Sequence, residues 1–265
     1  TMDDNVLISK TFKLLGSEGR TALIPYLTAG YPNRDATVPM LERFKDVGAD
    51  IIELGIPFSD PLADGPTIQR SSFRALENGT TVASVLDDLR TFRDGNDIPI
   101  VLFSYLNPIL AYGLEAFLSD AVTAGADGIL LTDLPTGADP AVEEVISESP
   151  LALIRLIAPT TPFQRVPKVT RGGSGFVYYI SRTGVTGARV KLRESLAEEL
   201  GQIRSVVSLP VAVGFGISTP EQAASVAGVA DGVVVGSALI EALDKGGIDE
   251  GADFLHSIRI GMDRG

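Results

Sequence analysis

The chain has 265 residues, 45% of them hydrophobic, with no cysteine, one histidine and a formal net charge of −12. The missing cysteines exclude disulfide frameworks, thiolate metal sites and cysteine nucleophiles, and the lone His256 leaves little for a histidine metal site or a Ser–His–Asp triad. The negative charge argues against nucleic-acid binding, which needs a basic surface, but not against a small phosphorylated ligand held by backbone amides. No apolar run reaches the ~20 residues that span a bilayer. The start, Thr1-Met2-Asp3-Asp4, does not read as a signal peptide, so a cytoplasmic protein without membrane contact is expected.

An amphipathic stretch, Val6–Leu15, opens the chain as a helix. The first strand, Ala22–Thr28, leads to a helix over Arg34–Val47. Ile51–Ile56 follows, then a long loop and a helix over Val82–Arg93 capped at Thr80-Thr81. Ile98–Tyr105 leads to Leu114–Ala124, Gly128–Asp133 to Pro140–Ser147, and Ala152–Ala158 to Phe163–Thr170. Gly175–Ser181 leads to Leu192–Val207, Val211–Gly216 to Pro220–Ala227, and Gly232–Gly236 to Asp249–Met262. The strands are near-continuously apolar, as parallel strands covered on both faces are. Eight such strands alternating with helices predict a (β/α)8 barrel. An open doubly wound sheet competes, but the first turn, Thr28-Ala29-Gly30-Tyr31-Pro32, lacks the G-x-G-x-x-G of a dinucleotide fold. No linker divides the chain. It reads as a single TIM-barrel domain over 1–265, with 1–20 a helical extension covering the barrel.

Chemistry in such barrels sits at the strand C-termini. The second strand carries Glu53 inside an apolar run, followed by Asp60 and Asp64 on the loop. A buried carboxylate is costly without a partner or a task. Two readings are open: a hydrogen-bonded structural Glu, or a carboxylate whose raised pKa lets it exchange protons near neutrality. Glu53 shares its strand face with Gly55, whose missing side chain is expected to leave room for substrate. Phe103, Tyr105, Tyr178 and Phe215 suit a flat aromatic ligand. Gly184, Gly187, Gly216, Gly236 and Ser237, after strands six to eight, suit a phosphate; the plainer reading is ordinary turn glycines. The lysines, Lys10, Lys13, Lys45, Lys168, Lys191 and Lys245, all lie away from strand ends, which disfavours a Schiff-base aldolase. Gly-Ala-Asp and its variants at Asp50, Asp127 and Asp231 each end a helix and enter a strand, and read as scaffold at the opposite face. The residues alone reach an aromatic or apolar phosphoester turned over by carboxylates.

The run Glu53–Gln69 resembles the signature of the tryptophan synthase alpha-subunit family, and so do four other segments in family order. These are Thr28–Pro32, Ser181–Gly187, Gly214–Ser218 and Gly236–Ala238, and together the resemblance covers essentially the whole chain. It implies retro-aldol cleavage of indole-3-glycerol phosphate to indole and glyceraldehyde 3-phosphate, with no cofactor and no metal. By the same resemblance Glu53 is the general acid–base, Asp64 binds the indole N–H, and Tyr178 assists near Glu53. Tyr26, Phe103, Leu130 and Phe215 line the indole pocket, and Thr186 closes over the site and positions Asp64. Gly187, Gly216, Gly236 and Ser237 hold the phosphate. Phe58, Asp60, Asn107, Pro108 and Pro135 face a beta subunit in an alpha-beta-beta-alpha heterotetramer. The loops at 58–67 and 182–192 are expected to be mobile without ligand. The alternatives are a stand-alone lyase that releases free indole and a non-catalytic regulatory barrel.

Overall fold

The computed structural model of the chain describes residues 6–181, 189–214 and 216–265. Its strands are β1 (Ala22–Thr28), β2 (Ile52–Gly55), β3 (Ile100–Ser104), β4 (Gly128–Leu131), β5 (Ala152–Leu153), β6 (Arg155–Ile157), β7 (Val177–Ile180), β8 (Val211–Gly214) and β9 (Gly232–Val235). They hydrogen-bond in the order β5-β4-β3-β2-β1-β9-β8-β7-β6, and every pair is parallel. Only Ile154 separates β5 from β6, so the two edges of the sheet are one stretch of chain and the barrel closes through it. The expected (β/α)8 barrel therefore forms, with its fifth strand split: β5 pairs with β4, and β6 with β7.

The helices are α1 (Val6–Ser17), α2 (Thr37–Asp46), α3 (Pro66–Glu77), α4 (Val82–Phe92), α5 (Leu106–Tyr112), α6 (Leu114–Ala124), α7 (Pro140–Glu148), α8 (Val166–Val169), α9 (Arg189–Arg204), α10 (Pro220–Val226) and α11 (Ser237–Asp263). Three stretches depart from the sequence expectation: α3, α5 and the half of α11 before its break at Gly246-Gly247. The break explains why only the later half of α11 showed a continuous period. α3 hides for another reason. It starts at Gly65-Pro66, and it buries Ser71, Ser72 and Ala75 rather than large apolar side chains, so it carries little of the signal that marks an amphipathic helix. Its serines act by hydrogen bonding instead. Ser72 Oγ accepts from Phe58 N–H (2.9 Å) and donates to Phe58 O (3.1 Å), pinning the β2–α3 loop.

Two apolar clusters result. The outer one joins helix side chains such as Phe44, Phe92 and Phe117 to the outward strand residues. The inner one fills the barrel: Ile8, Phe12 and Leu15 of α1 pack with Ile24, Ile51, Val101, Leu130, Ile154, Phe176 and Val234. The interior of the barrel is thus filled by apolar side chains below the mouth, and a cavity opens toward the strand C-termini.

The repeated Asp motif has a mechanical role at the packed end. Asp50 N–H donates to Leu23 O (2.9 Å), and Leu23 N–H donates back to Asp50 Oδ2 (2.8 Å). Asp127 and Ile100 make the same exchange (2.9 and 2.9 Å), as do Asp231 and Val211 (3.1 and 2.8 Å). Each of these carboxylates also takes an arginine: Arg259 at 2.8 Å, Arg93 at 2.5 Å and Arg204 at 3.1 Å. The clasps join β1 to β2, β3 to β4 and β8 to β9.

Candidate active site

Glu53 lies in β2 between Tyr26 of β1 and Val101 of β3, its register partners. It points into the barrel and lines a cavity of about 350 Å³ at the mouth. It is 1% exposed, and its Oε1 has no hydrogen-bond partner among the described residues. Burial pushes its pKa up to about 8, because nothing among the described residues compensates an ionised carboxylate. Glu53 is therefore largely protonated at neutral pH and able both to give and to take a proton.

Gly55 does not leave room for substrate as expected. A Cβ there would collide with the Tyr26 hydroxyl, and one at Gly214 would collide with the Tyr178 hydroxyl. Each glycine lets a tyrosine of the preceding strand lean across it, so two phenol rings rather than empty space wall the cavity. The two hydroxyls differ. Ser71 Oγ donates to Ile68 O (2.8 Å), so it accepts from Thr28 Oγ1 (2.7 Å), which in turn accepts from Tyr26 Oη (3.2 Å). The Tyr26 proton is thereby committed away from Glu53. Tyr178 Oη has no such partner among the described residues. Burial first and the neighbouring carboxylates second raise both pKa values, so both phenols stay protonated.

Asp64 lines the same cavity from the β2–α3 loop. Tyr105 Oη donates to its Oδ2 (3.0 Å) and accepts from Ala63 N–H (3.0 Å). Burial raises the Asp64 pKa and the Tyr105 hydrogen bond pulls it partway back. The Tyr105 hydroxyl itself is pushed up to about 12, first by burial and then by the Asp64 charge. Tyr105 does not line the cavity: its ring packs on Phe58 with centroids 5.2 Å apart. It holds the Asp64 loop, a role that spacing within the loop could not reveal.

The other expected residues fall as follows. Tyr26 and Phe103 line the cavity, with rings 5.2 Å apart and edge-on. Leu130 does not line it; it is buried in the inner cluster below, and Thr132, the next inward position of that strand, lines the cavity instead. Gly216, Gly236 and Ser237 line the far end with Ile217, Ser218 and Ala238. Ser237 begins α11, and no side chain caps that helix, so its first N–H groups are available to an anion. Thr186, Gly187 and Phe215 lie outside the described residues. Among the described residues no Lys, Arg or His lines the cavity, whereas Glu241 of α11 does. Phe58, Asp60, Asn107, Pro108 and Pro135 all follow strand C-termini on the rim, with Phe58 and Pro108 half-buried and Asp60, Asn107 and Pro135 exposed. Leu62, which the sequence reading passed over, is 89% exposed on the same rim.

The arrangement is a cavity with aromatic and apolar walls that carry a neutral carboxyl and an aspartate. At the far end it offers amides and hydroxyls. It can bind a flat ring joined to a short phosphorylated chain and move a proton at their junction.

Comparison with known proteins agrees with this. The family model described as tryptophan synthase alpha chain matches residues 12–257. The tryptophan synthase alpha chain of Geotalea daltonii is 49% identical over 238 residues, covering 90% of each chain. That of Aromatoleum aromaticum is 46% identical over 262 residues, covering 97% of each. The crystal structure of tryptophan synthase subunit alpha from Legionella pneumophila superposes with a TM-score of 0.89 at 38% identity, over 97% of this chain and 98% of that one.

Proposed function

Because the chain belongs to the tryptophan synthase alpha chain family, we propose that its cavity cleaves indole-3-glycerol phosphate to indole and glyceraldehyde 3-phosphate in tryptophan biosynthesis. The observation that carries this reading is Glu53: a buried carboxyl whose Oε1 has no partner among the described residues, with a pKa of about 8, at the wall of an aromatic-lined cavity. Neutral Glu53 gives its proton to indole C3. The ring nitrogen then carries positive charge, and the Asp64 carboxylate accepts its N–H and stabilises it. The glutamate left behind takes the proton of the side-chain hydroxyl next to the breaking C–C bond. That hydroxyl becomes the aldehyde, and the bond electrons return to the indole ring. One proton is given and one is taken with no net redox change, so Glu53 is restored and the cycle balances without a cofactor. Tyr178, with its uncommitted hydroxyl, assists beside Glu53. Tyr26 and Phe103 hold the ring, and Gly216, Gly236 and Ser237 hold the phosphate.

We further read residues 1–265 as one domain. The rim of Phe58, Asp60, Asn107, Pro108 and Pro135 is the surface for a beta subunit in an alpha-beta-beta-alpha tetramer, and Leu62 supplies an exposed apolar contact there. The cysteine-free sequence fits a cytoplasmic place of work; among the described residues no helix is long and apolar enough to cross a membrane. The test is indole formation from indole-3-glycerol phosphate, with and without an added beta subunit. Release of indole that the beta subunit stimulates supports both parts of the proposal. Release that it leaves unchanged removes the partner, and no release in either case removes the reaction.

A further inference from the structure

The cavity has an unusual charge for a site that takes a phosphate. Among the described residues its walls carry the carboxylates of Asp64 and Glu241, the neutral carboxyl of Glu53 and no basic side chain. Glu53 and Asp64 stand where the ring would lie. Glu241 stands at the other end: it lies on α11 one helical turn beyond Ser237, on the wall shared with Gly216, Ser218 and Ala238. Its Oε1 accepts from Thr67 Oγ1 at 3.5 Å, at the start of α3. Nearby, Arg70 of α3 pairs with Asp244 of α11, so its guanidinium is already committed. Helix α11 thus offers amides that attract an anion and, one turn on, a carboxylate that repels it.

Resting on the reading that this end receives the phosphate, we propose that Glu241 is an affinity-limiting residue: its charge holds phosphate-bearing ligands weakly, so that the phosphorylated product leaves readily. The group is exposed, so the repulsion is screened and modest, on the order of a two- to five-fold effect on affinity. Glu241→Gln keeps the length of the side chain and an oxygen to accept from Thr67. Any change it causes therefore reports charge rather than loss of the α3–α11 contact.

The test measures competitive inhibition of indole release by inorganic phosphate in the wild type, Glu241→Gln and Glu241→Lys. The expected result is an inhibition constant that falls two- to five-fold in Glu241→Gln and further in Glu241→Lys at low salt. The three values should converge near 1 M salt, where the screening length is about 3 Å. Equal inhibition of all three proteins at low salt overturns the role of Glu241, as does a difference that salt leaves untouched. If phosphate inhibits none of them, the phosphate site itself is misplaced and both readings fall together.

Discussion

At the N-terminal end of the barrel, Asp50, Asp127 and Asp231 each hold a backbone amide and an arginine. At the C-terminal mouth, Glu53 Oε1 has no partner among the described residues, and Asp64 has a phenol there in place of a cation. The two ends answer the same physical cost differently. A carboxylate removed from water must be compensated or must give up its charge. Below, compensation joins neighbouring strands and makes a rigid base. Even there it is incomplete at Asp50, where burial outweighs the amide and Arg259 and raises the pKa from its ordinary value. Above, no cation among the described residues is spent on Glu53, and the resulting neutral acid is what proton transfer at pH 7 requires.

Removing the acid should have the largest effect. Glu53→Gln is expected to lower the rate of indole release by about 10³-fold or more, since general acid–base catalysis contributes ~10² to 10⁴ and here one group serves both steps. The same variant should be more stable than the wild type at high pH. The folded-state pKa of about 8 exceeds the ordinary glutamate value of about 4.5, so the folded protein holds a proton that the unfolded chain has released. Stability therefore falls as pH rises from about 4.5 through 8, by up to a few kcal/mol, and glutamine removes that loss. Melting curves at pH 5 and pH 8.5 check it: the gain of Glu53→Gln should be small at the first and clear at the second. A gain independent of pH would mean that Glu53 is compensated after all, and the contrast between the two ends would go with it.

Breaking a clasp should do the reverse. Arg259 is buried and binds Asp50, Asp263 and Thr21 O. Arg259→Met keeps much of its apolar stem but leaves Asp50 with an amide alone. The expected cost is about 3 kcal/mol, the usual penalty for stranding one member of a buried pair. That is a melting point lower by roughly 10 °C for a chain of this size. The kcat of the protein that remains folded should not change. A variant that loses kcat while keeping its melting point would show that the base is coupled to the mouth.

Asp64→Asn comes next. An amide can still accept the indole N–H but cannot offset a positive ring, so kcat should fall on the order of 10²-fold with little change in KM. An effect confined to KM would reduce Asp64 to ground-state binding.

This contrast was only half legible in the sequence. Glu53 stood out because a charged residue interrupts an apolar strand, and the Asp motifs stood out because they repeat before strands. Their partners did not. Arg259 lies 209 residues from Asp50, and Tyr105 lies 41 from Asp64; no local period links them. Helix α3 escaped because its buried face is built of Ser71, Ser72 and Ala75. The family resemblance implies a pocket place for Leu130, yet it lies in the inner cluster below. How deep along the barrel each inward position falls depends on the registers between neighbouring strands, and those appear only once the barrel has closed.

The smallest expected effect tests the most local version of the contrast, whether a phenol is enough to hold Asp64. Tyr105 Oη donates to Asp64 Oδ2 and also accepts from Ala63 N–H, so it fixes both the carboxylate and the backbone beside it. With its own pKa pushed up to about 12, it remains a donor throughout any working pH range. Tyr105→Phe keeps the ring against Phe58 and removes only the hydroxyl. Losing a hydrogen bond to a charged group costs about 1.5–3 kcal/mol when nothing replaces it, but Asp64 sits in a cavity that admits water. A loss of roughly three- to ten-fold in kcat is therefore expected. The direction of the pH change is the sharper readout. The hydroxyl favours the ionised form of Asp64 against the burial that raises its pKa. Without it, that pKa climbs further, and the acid limb of the kcat/KM profile should move to higher pH. An acid limb that stays in place would mean that Tyr105 only anchors the loop and that the charge on Asp64 is sustained by something else at the mouth.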